Sequence, residues 1–231
     1  MRELPELRDR TLVFRDRREA GEVLARMLEG HLPVRARILA IPAGGVPVAV
    51  PIAEALHLPL DVAVVSKVTP SWNSEVGYGA VAFDGRVRLD EKAMAHLRVD
   101  AREAREGVER TLAKVRRRVQ SLTEGSPAPL APGETAVLVD DGLASGFTMT
   151  IAIEAVRGAG AGRVIVAVPT GSERTVNRVA ASADEVYCAN VRAGWSFAVA
   201  DAYESWTDVD DRAVLEILEG LRLSRARSPD R

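Results

Sequence analysis

Val137-Leu138-Val139-Asp140-Asp141-Gly142-Leu143-Ala144-Ser145-Gly146-Phe147-Thr148 is the stretch on which the reading of this chain turns. It opens with a compact β-branched run, Thr135 to Val139, that reads as a buried strand. Two carboxylates stand at the end of that strand. A loop of small residues follows, and a helix begins near Thr148. Carboxylates accept hydrogen bonds and suit the vicinal hydroxyls of a sugar. The loop Ala144–Thr148 can offer successive backbone N–H groups and two hydroxyls to a phosphate, and the dipole of the helix behind it favours negative charge. A phosphorylated ribose fits this pattern. The alternative is a simple turn, because Asp-Asp-Gly is common turn chemistry and Ser or Thr before a helix is an ordinary N-cap. The segment is not a Walker loop, since no Gly-Lys-Ser/Thr follows. It is not a nucleophile elbow either, because Leu143 occupies the position two before Ser145, where that motif has Gly.

The neighbouring segments alternate strand and helix. Arg35 to Ile41 is a short apolar run ending in Pro42-Ala43-Gly44-Gly45. Val46 to Leu58 carries apolar residues at helical spacing, and Asp61 to Val65 reads as the second strand, ending in Ser66-Lys67. After the motif come a helix (Thr148–Gly158), a strand (Arg163–Val168), a helix (Ser172–Ala181) and a last strand (Glu185–Tyr187). Strands apolar on both faces and alternating with helices predict a doubly wound α/β fold with a mostly parallel sheet. Ligands in that class sit at the carboxyl ends of the strands, where the Gly-rich and acidic segments fall here.

Between the second and third core strands lies an excursion from about Val68 to Gly133, with an insertion at about 84–133. It begins as a loop, Thr69 to Gly79. A hairpin with a two-residue Asp84-Gly85 turn is expected next. Ala101, Ala104, Val108, Leu112, Val115, Val119 and Leu122 then mark one stripe of a long helix, with Asp100 and Glu103 placed to cap its start. Arg116-Arg117-Arg118 on that helix reads as a solvated face. Ser126 to Gly133 reads as the linker back to the sheet. Trp195, Phe197, Tyr203 and Trp206 crowd a C-terminal hood at about 190–207. One domain spans 1–221, and 222–231 is expected to be a frayed tail.

With 231 residues, 47% of them hydrophobic, the chain can bury a full core. Its net charge of -2 argues against a broad surface for nucleic acid or anionic membrane. The lone Cys188 excludes an internal disulfide framework and is expected at a buried strand end. The amino terminus shows no signal-peptide pattern, and no stretch is an unbroken membrane span, so the reading is a cytoplasmic, non-membrane protein. His31, His57 and His96 are scattered and do not have zinc-ligand spacing.

The segment Val137–Thr148 resembles the phosphoribosyl-pyrophosphate (PRPP) motif of type I phosphoribosyltransferases: a hydrophobic strand, two acids, two small or apolar residues, then a Thr/Ser-Gly-x-Thr/Ser loop. The resemblance runs from about Arg10 to Glu216. It implies that Asp140 and Asp141 hold the ribose hydroxyls and Mg2+, the ion either directly or only through water or those hydroxyls. It also implies that Gly142, Ala144, Ser145, Gly146, Phe147 and Thr148 bind ribose 5-phosphate. Ala43, Gly44 and Gly45 correspond to the pyrophosphate loop. Many members carry Arg where this chain has Ala43, so a charge contact to pyrophosphate is lost. By the same resemblance Lys67 faces pyrophosphate, and Thr69–Gly79 is a mobile loop that closes over the site. Lys67 to Gly85 also resembles a subgroup of uncharacterised phosphoribosyltransferase-like proteins that share Asn73, Glu75 and Gly79-Ala80-Val81. A solvent-exposed carboxylate is the other reading of Glu75. The implied reaction transfers ribose 5-phosphate from PRPP to a nucleobase or analogue, and a homodimer is left open. The rival reading is a non-catalytic module of the same fold that senses PRPP or a nucleotide. A dinucleotide binder would need Gly-x-Gly-x-x-Gly after the first strand, which is missing.

Overall fold

A computed structural model describes residues 1–74, 76–123, 125, 127, 128 and 130–227. The elements run α1 (Arg17–Leu28), β1 (Ala36–Ala40), α2 (Gly45–Leu56), β2 (Leu60–Val62), β3 (Val65–Val68), β4 (Gly79–Ala82) and β5 (Val87–Leu89). They continue with α3 (Glu91–Leu97), α4 (Ala101–Leu122), β6 (Thr135–Val139), α5 (Phe147–Gly158), β7 (Arg163–Ser172), α6 (Glu173–Ala180), β8 (Glu185–Arg192) and α7 (Asp211–Arg227).

The main sheet has five strands in the order β2-β1-β6-β7-β8. Every pairing in it is parallel. Its register follows from burial on both faces. Ile38, Ala40, Val137, Val139, Ile165 and Ala167 join Leu24, Leu28, Val48 and Ile52 of α1 and α2 in one core. Leu39, Ala136, Leu138, Val164 and Val166 join Met149, Ile153, Val176 and Val179 of α5 and α6 in the other. A one-residue slip would carry each set to the opposite helix layer. The free edge of β8 is covered: Arg2 pairs in parallel with Tyr187, its N–H donating to Val186 O while Cys188 N donates to Arg2 O. That pairing removes an exposed strand edge.

Pairing of β1 with β6 aligns Ala40 with Val139. The loops that leave these two strands are therefore neighbours at the carboxyl end of the sheet, where ligands of doubly wound folds sit.

The structure corrects several sequence expectations. The second core strand is only Leu60–Val62, and Lys67 does not end it. After Ala63 and Val64 the chain enters a separate antiparallel sheet, β3-β4-β5, in which Lys67 pairs with Ala80. The complementary apolar strand Gly79–Ala82, buried along its length, draws Val65–Val68 away from the main sheet. The hairpin turn is longer than two residues. Val81 pairs with Val87, Ala82 N donates to Arg86 O, and Gly85 takes φ +84°, which suits a residue without Cβ.

The long helix α4 begins as expected, with Asp100 accepting from the N–H groups of Arg102 and Glu103. The Glu103 carboxylate accepts from Ser71 N, which tethers the start of the Thr69–Gly79 loop to α4. Arg118 is not on a solvated face. It is buried, and its Nε and Nη2 donate to Asp211 at the start of α7 at 2.6–3.0 Å. Arg116 and Arg117 are exposed as expected. Cys188 is buried but lies within β8, not at its end. α7 continues to Arg227, past residue 222 where a tail is expected to begin. The Ser126–Gly133 linker lies partly outside the described residues. Among the described residues no helix is long and apolar enough to cross a membrane.

Candidate functional site

The acids leave β6 at its carboxyl end. Asp140 accepts a hydrogen bond from the Asp141 N–H at 2.9 Å. Burial, then the neighbouring Asp141 carboxylate, push the Asp140 carboxyl well above the usual carboxylate range. Asp141 turns toward α1. Its Oδ2 accepts from Arg17 Nε at 3.0 Å and from Nη2 at 2.9 Å. Arg17 is itself buried, and no motif in the sequence singles it out. Its guanidinium also donates to Thr207 O at 2.8 Å and lies over the Trp206 ring, 3.8 Å from the centroid. The sequence does carry a signal for the helix that bears it. Asp16 caps α1 by accepting from Glu19 N, and Glu19 reaches back to accept from Arg15 N. Ala20, Leu24 and Leu28 then repeat at helical spacing.

The loop that follows β1 and the acid segment are packed into one unit. Ile41 N donates to Val139 O, and the Pro42–Ala43 peptide is cis. A Cβ on Gly44 would fall inside the Asp141 carboxylate, and one on Gly45 would stand 2.5 Å from Val139 O. Glycine at both positions is what lets Ala43–Gly45 lie against the acids.

After Gly142 the chain runs beside the end of β7. Leu143 N donates to Thr170 O, and Ser172 N donates to Leu143 O. Thr175 Oγ1 donates to Ala144 O at 2.7 Å, and Arg178 Nη1 donates to Ser145 O at 3.3 Å. Because a trans peptide sets its N–H opposite its C=O, these bonds turn the N–H groups of Ser145 and Gly146 away from α6. Gly146 precedes α5 with φ +73°, a left-handed conformation that favours glycine. Thr175 and Arg178 have no sequence signature of this role, since it depends on how α6 packs beneath the loop.

A cleft of about 440 Å³ opens on the other side of the loop. Gly142, Leu143, Ala144, Ser145, Gly146 and Thr148 line one wall, and Lys67, Val76 and Gly77 line another. Lys67 thus reaches the same cleft from a different sheet than expected. Ala93, His96 and Leu97 of α3 complete the lining, so the insertion contributes to the cleft and one of the scattered histidines stands in it. Glu75 lies outside the described residues.

The aromatic residues of the hood separate in role. Trp195 is fully exposed and Phe197 lies against Arg192. Tyr203 is buried between Phe14 and Trp206. Its hydroxyl donates to the Asp141 carbonyl at 2.7 Å, while burial and then the Asp141 charge push its own pKa upward. Tyr203→Phe would leave that carbonyl without its donor, at a cost of about 1–3 kcal/mol. Thermal unfolding should show the loss with the secondary structure unchanged.

A parallel doubly wound sheet thus carries a glycine loop, paired acids and a loop of small residues at adjacent strand ends, where folds of this class take their ligands. The chain belongs to the phosphoribosyl transferase domain family, whose profile matches residues 34–202. Two curated relatives from strains of Mycobacterium tuberculosis, whose names place them provisionally among the phosphoribosyl transferases, are 37% identical over 208 residues. The match covers 90% of this chain and 46% of each relative, so the chain spans about half their length. The crystal structure of TT1426 from Thermus thermophilus is also similar, at 35% identity and a TM-score of 0.71, covering 90% of this chain and 98% of that one.

Proposed function

We propose that the chain binds PRPP and transfers its ribose 5-phosphate to a nitrogenous base-like acceptor, releasing pyrophosphate. In this reading the 5-phosphate takes the N–H groups of Ala144–Thr148, and the ribose hydroxyls take Asp140 and Asp141. The diphosphate lies along Ala43–Gly45 toward Lys67. The observation that carries the reading is the packing of Gly44 against Asp141, which puts the glycine loop and the sugar acids within one ligand's reach.

The donor set suits Mg2+. That ion binds through one or two carboxylates together with substrate phosphate oxygens and retained waters. Among the described residues no cluster of three or more metal-ligating side chains offers an all-protein cage. Asp140 and Asp141 would hold the ion directly or through water, and bound there it would offset charge on the diphosphate.

The bond from ribose C1 to the pyrophosphate oxygen breaks as the C1–N bond to the acceptor forms, and the acceptor's N–H proton passes to solvent water. The electron pair leaves with pyrophosphate through an oxocarbenium-like transition state. Lys67 would stabilise that departing charge, and the rest of the rate comes from positioning. Lys67→Ala should therefore weaken pyrophosphate binding about tenfold and ribose 5-phosphate binding much less, as measured by calorimetry. Equal weakening would contradict the contact.

The second reading, a non-catalytic PRPP or nucleotide sensor, is favoured by Ala43, which brings no charge to the diphosphate. Pyrophosphate release from PRPP and Mg2+ across a panel of purine and pyrimidine bases separates the two. Release with one base supports transfer. Binding without release from any base supports the sensor.

A further inference from the structure

We propose that Arg17 is a positioning residue that couples the hood to the sugar-binding acids, so that occupancy of Asp141 and the placement of Trp206 change together. The inference rests on the sugar site proposed above. Arg17 projects from α1, outside both motifs, and its buried guanidinium meets three groups at once. Two donors fall on the same oxygen, Asp141 Oδ2. A third falls on Thr207 O, and the planar face covers the Trp206 ring.

An arginine can satisfy all three because its donors and its flat face lie in different directions, whereas a lysine ammonium cannot. The two bonds to Oδ2 fix the carboxylate's rotation, and thereby the direction in which Oδ1 is presented. Any hydroxyl that moves Asp141 must move the guanidinium, and with it Trp206-Thr207. Two sites joined this way are linked in both directions: a ligand against the hood strengthens sugar binding as much as the sugar strengthens it. Tyr203 adds a second tie from hood to acid segment through the Asp141 carbonyl.

Trp206 makes this measurable. The chain has three tryptophans, and Trp72→Phe with Trp195→Phe leaves Trp206 as the sole one. In that background, saturating PRPP with Mg2+ should shift Trp206 emission. Arg17→Gln should bind PRPP at least tenfold more weakly, and at saturation its Trp206 emission should not move. Arg17→Lys should recover part of the affinity but not the emission shift. Trp206→Leu, which removes the ring and leaves both acids in place, should weaken PRPP severalfold and covers the case in which Arg17→Gln does not fold. An emission shift that persists in Arg17→Gln, or an unchanged affinity in Trp206→Leu, would overturn the coupling. A chain that fails to bind PRPP would refute the proposed function instead. The coupling is then judged without ligand: Asp141→Ala, which removes the oxygen that Arg17 holds, should change Trp206 emission when Arg17 is present, and no change would overturn it.

Discussion

Asp140→Asn combined with Asp141→Asn is expected to abolish PRPP binding while leaving the fold intact. Each carboxylate would accept hydrogen bonds from ribose hydroxyls, and a bond to a charged acceptor contributes about 1.5–3 kcal/mol. Asparagine keeps one accepting oxygen but loses the charge, and with it any hold on Mg2+, so exchanging both acids removes at least about a hundredfold in affinity. The fold should tolerate the change for two reasons. Asp140 is held well above the usual carboxylate range by burial and by Asp141, so a neutral amide relieves an unfavourable charge. An asparagine in place of Asp141 keeps a side-chain oxygen that can accept from Arg17. Calorimetry with PRPP and Mg2+ measures the first effect, and thermal unfolding the second. Normal PRPP binding in the double variant would mean that the ribose lies elsewhere.

Gly44→Ala should damage the site as severely by a different route. The added Cβ would occupy the position of the Asp141 carboxylate, so either the acid or the glycine loop must move. The carboxylate is not free to retreat, because Arg17 holds it from the α1 side. Overpacking of this kind costs about 1–3 kcal/mol. Here the displacement falls together on Asp141 and Ala43–Gly45, the proposed ribose and pyrophosphate contacts, so affinity for PRPP should fall at least as steeply as stability. Gly30→Ala is the control. Gly30 has φ +72°, and nothing lies within 4 Å of a Cβ there, so that variant tests backbone strain without crowding. Matched losses of PRPP affinity in both variants would contradict the packing argument.

Much of the architecture can be read from period and composition. Thr135–Val139 and Arg163–Val168 have the short, β-branched, apolar make-up of strands buried on both faces, and Ala101–Leu122 carries its own stripe and cap. The candidate sugar site is legible where its residues are contiguous, from Asp140 to Thr148 and from Ala43 to Gly45. Parts that depend on distant segments meeting are not legible. Arg17 lies 124 positions from Asp141, and nothing in either local sequence specifies the other. Thr175 and Arg178 look like ordinary helix residues until α6 packs under the loop. Lys67 reaches the cleft, but from an antiparallel sheet, because Val65–Val68 pairs with Gly79–Ala82 in preference to extending β2. Arg118 looks solvated beside Arg116 and Arg117, and it is buried where α4 meets Ser66 of β3 and Asp211 of α7. Local sequence shows which residues can do chemistry, whereas the residues that position them are supplied by tertiary contacts.

One phosphorylated ribose is proposed to span the acids and the small-residue loop. A crystal structure of the chain with PRPP and Mg2+ tests it most directly. The 5-phosphate is expected on the N–H groups of Ala144–Thr148, the ribose hydroxyls on Asp140 and Asp141, and the diphosphate along Ala43–Gly45. A 5-phosphate bound away from that loop, with Asp140 and Asp141 not in contact with the sugar, would contradict it.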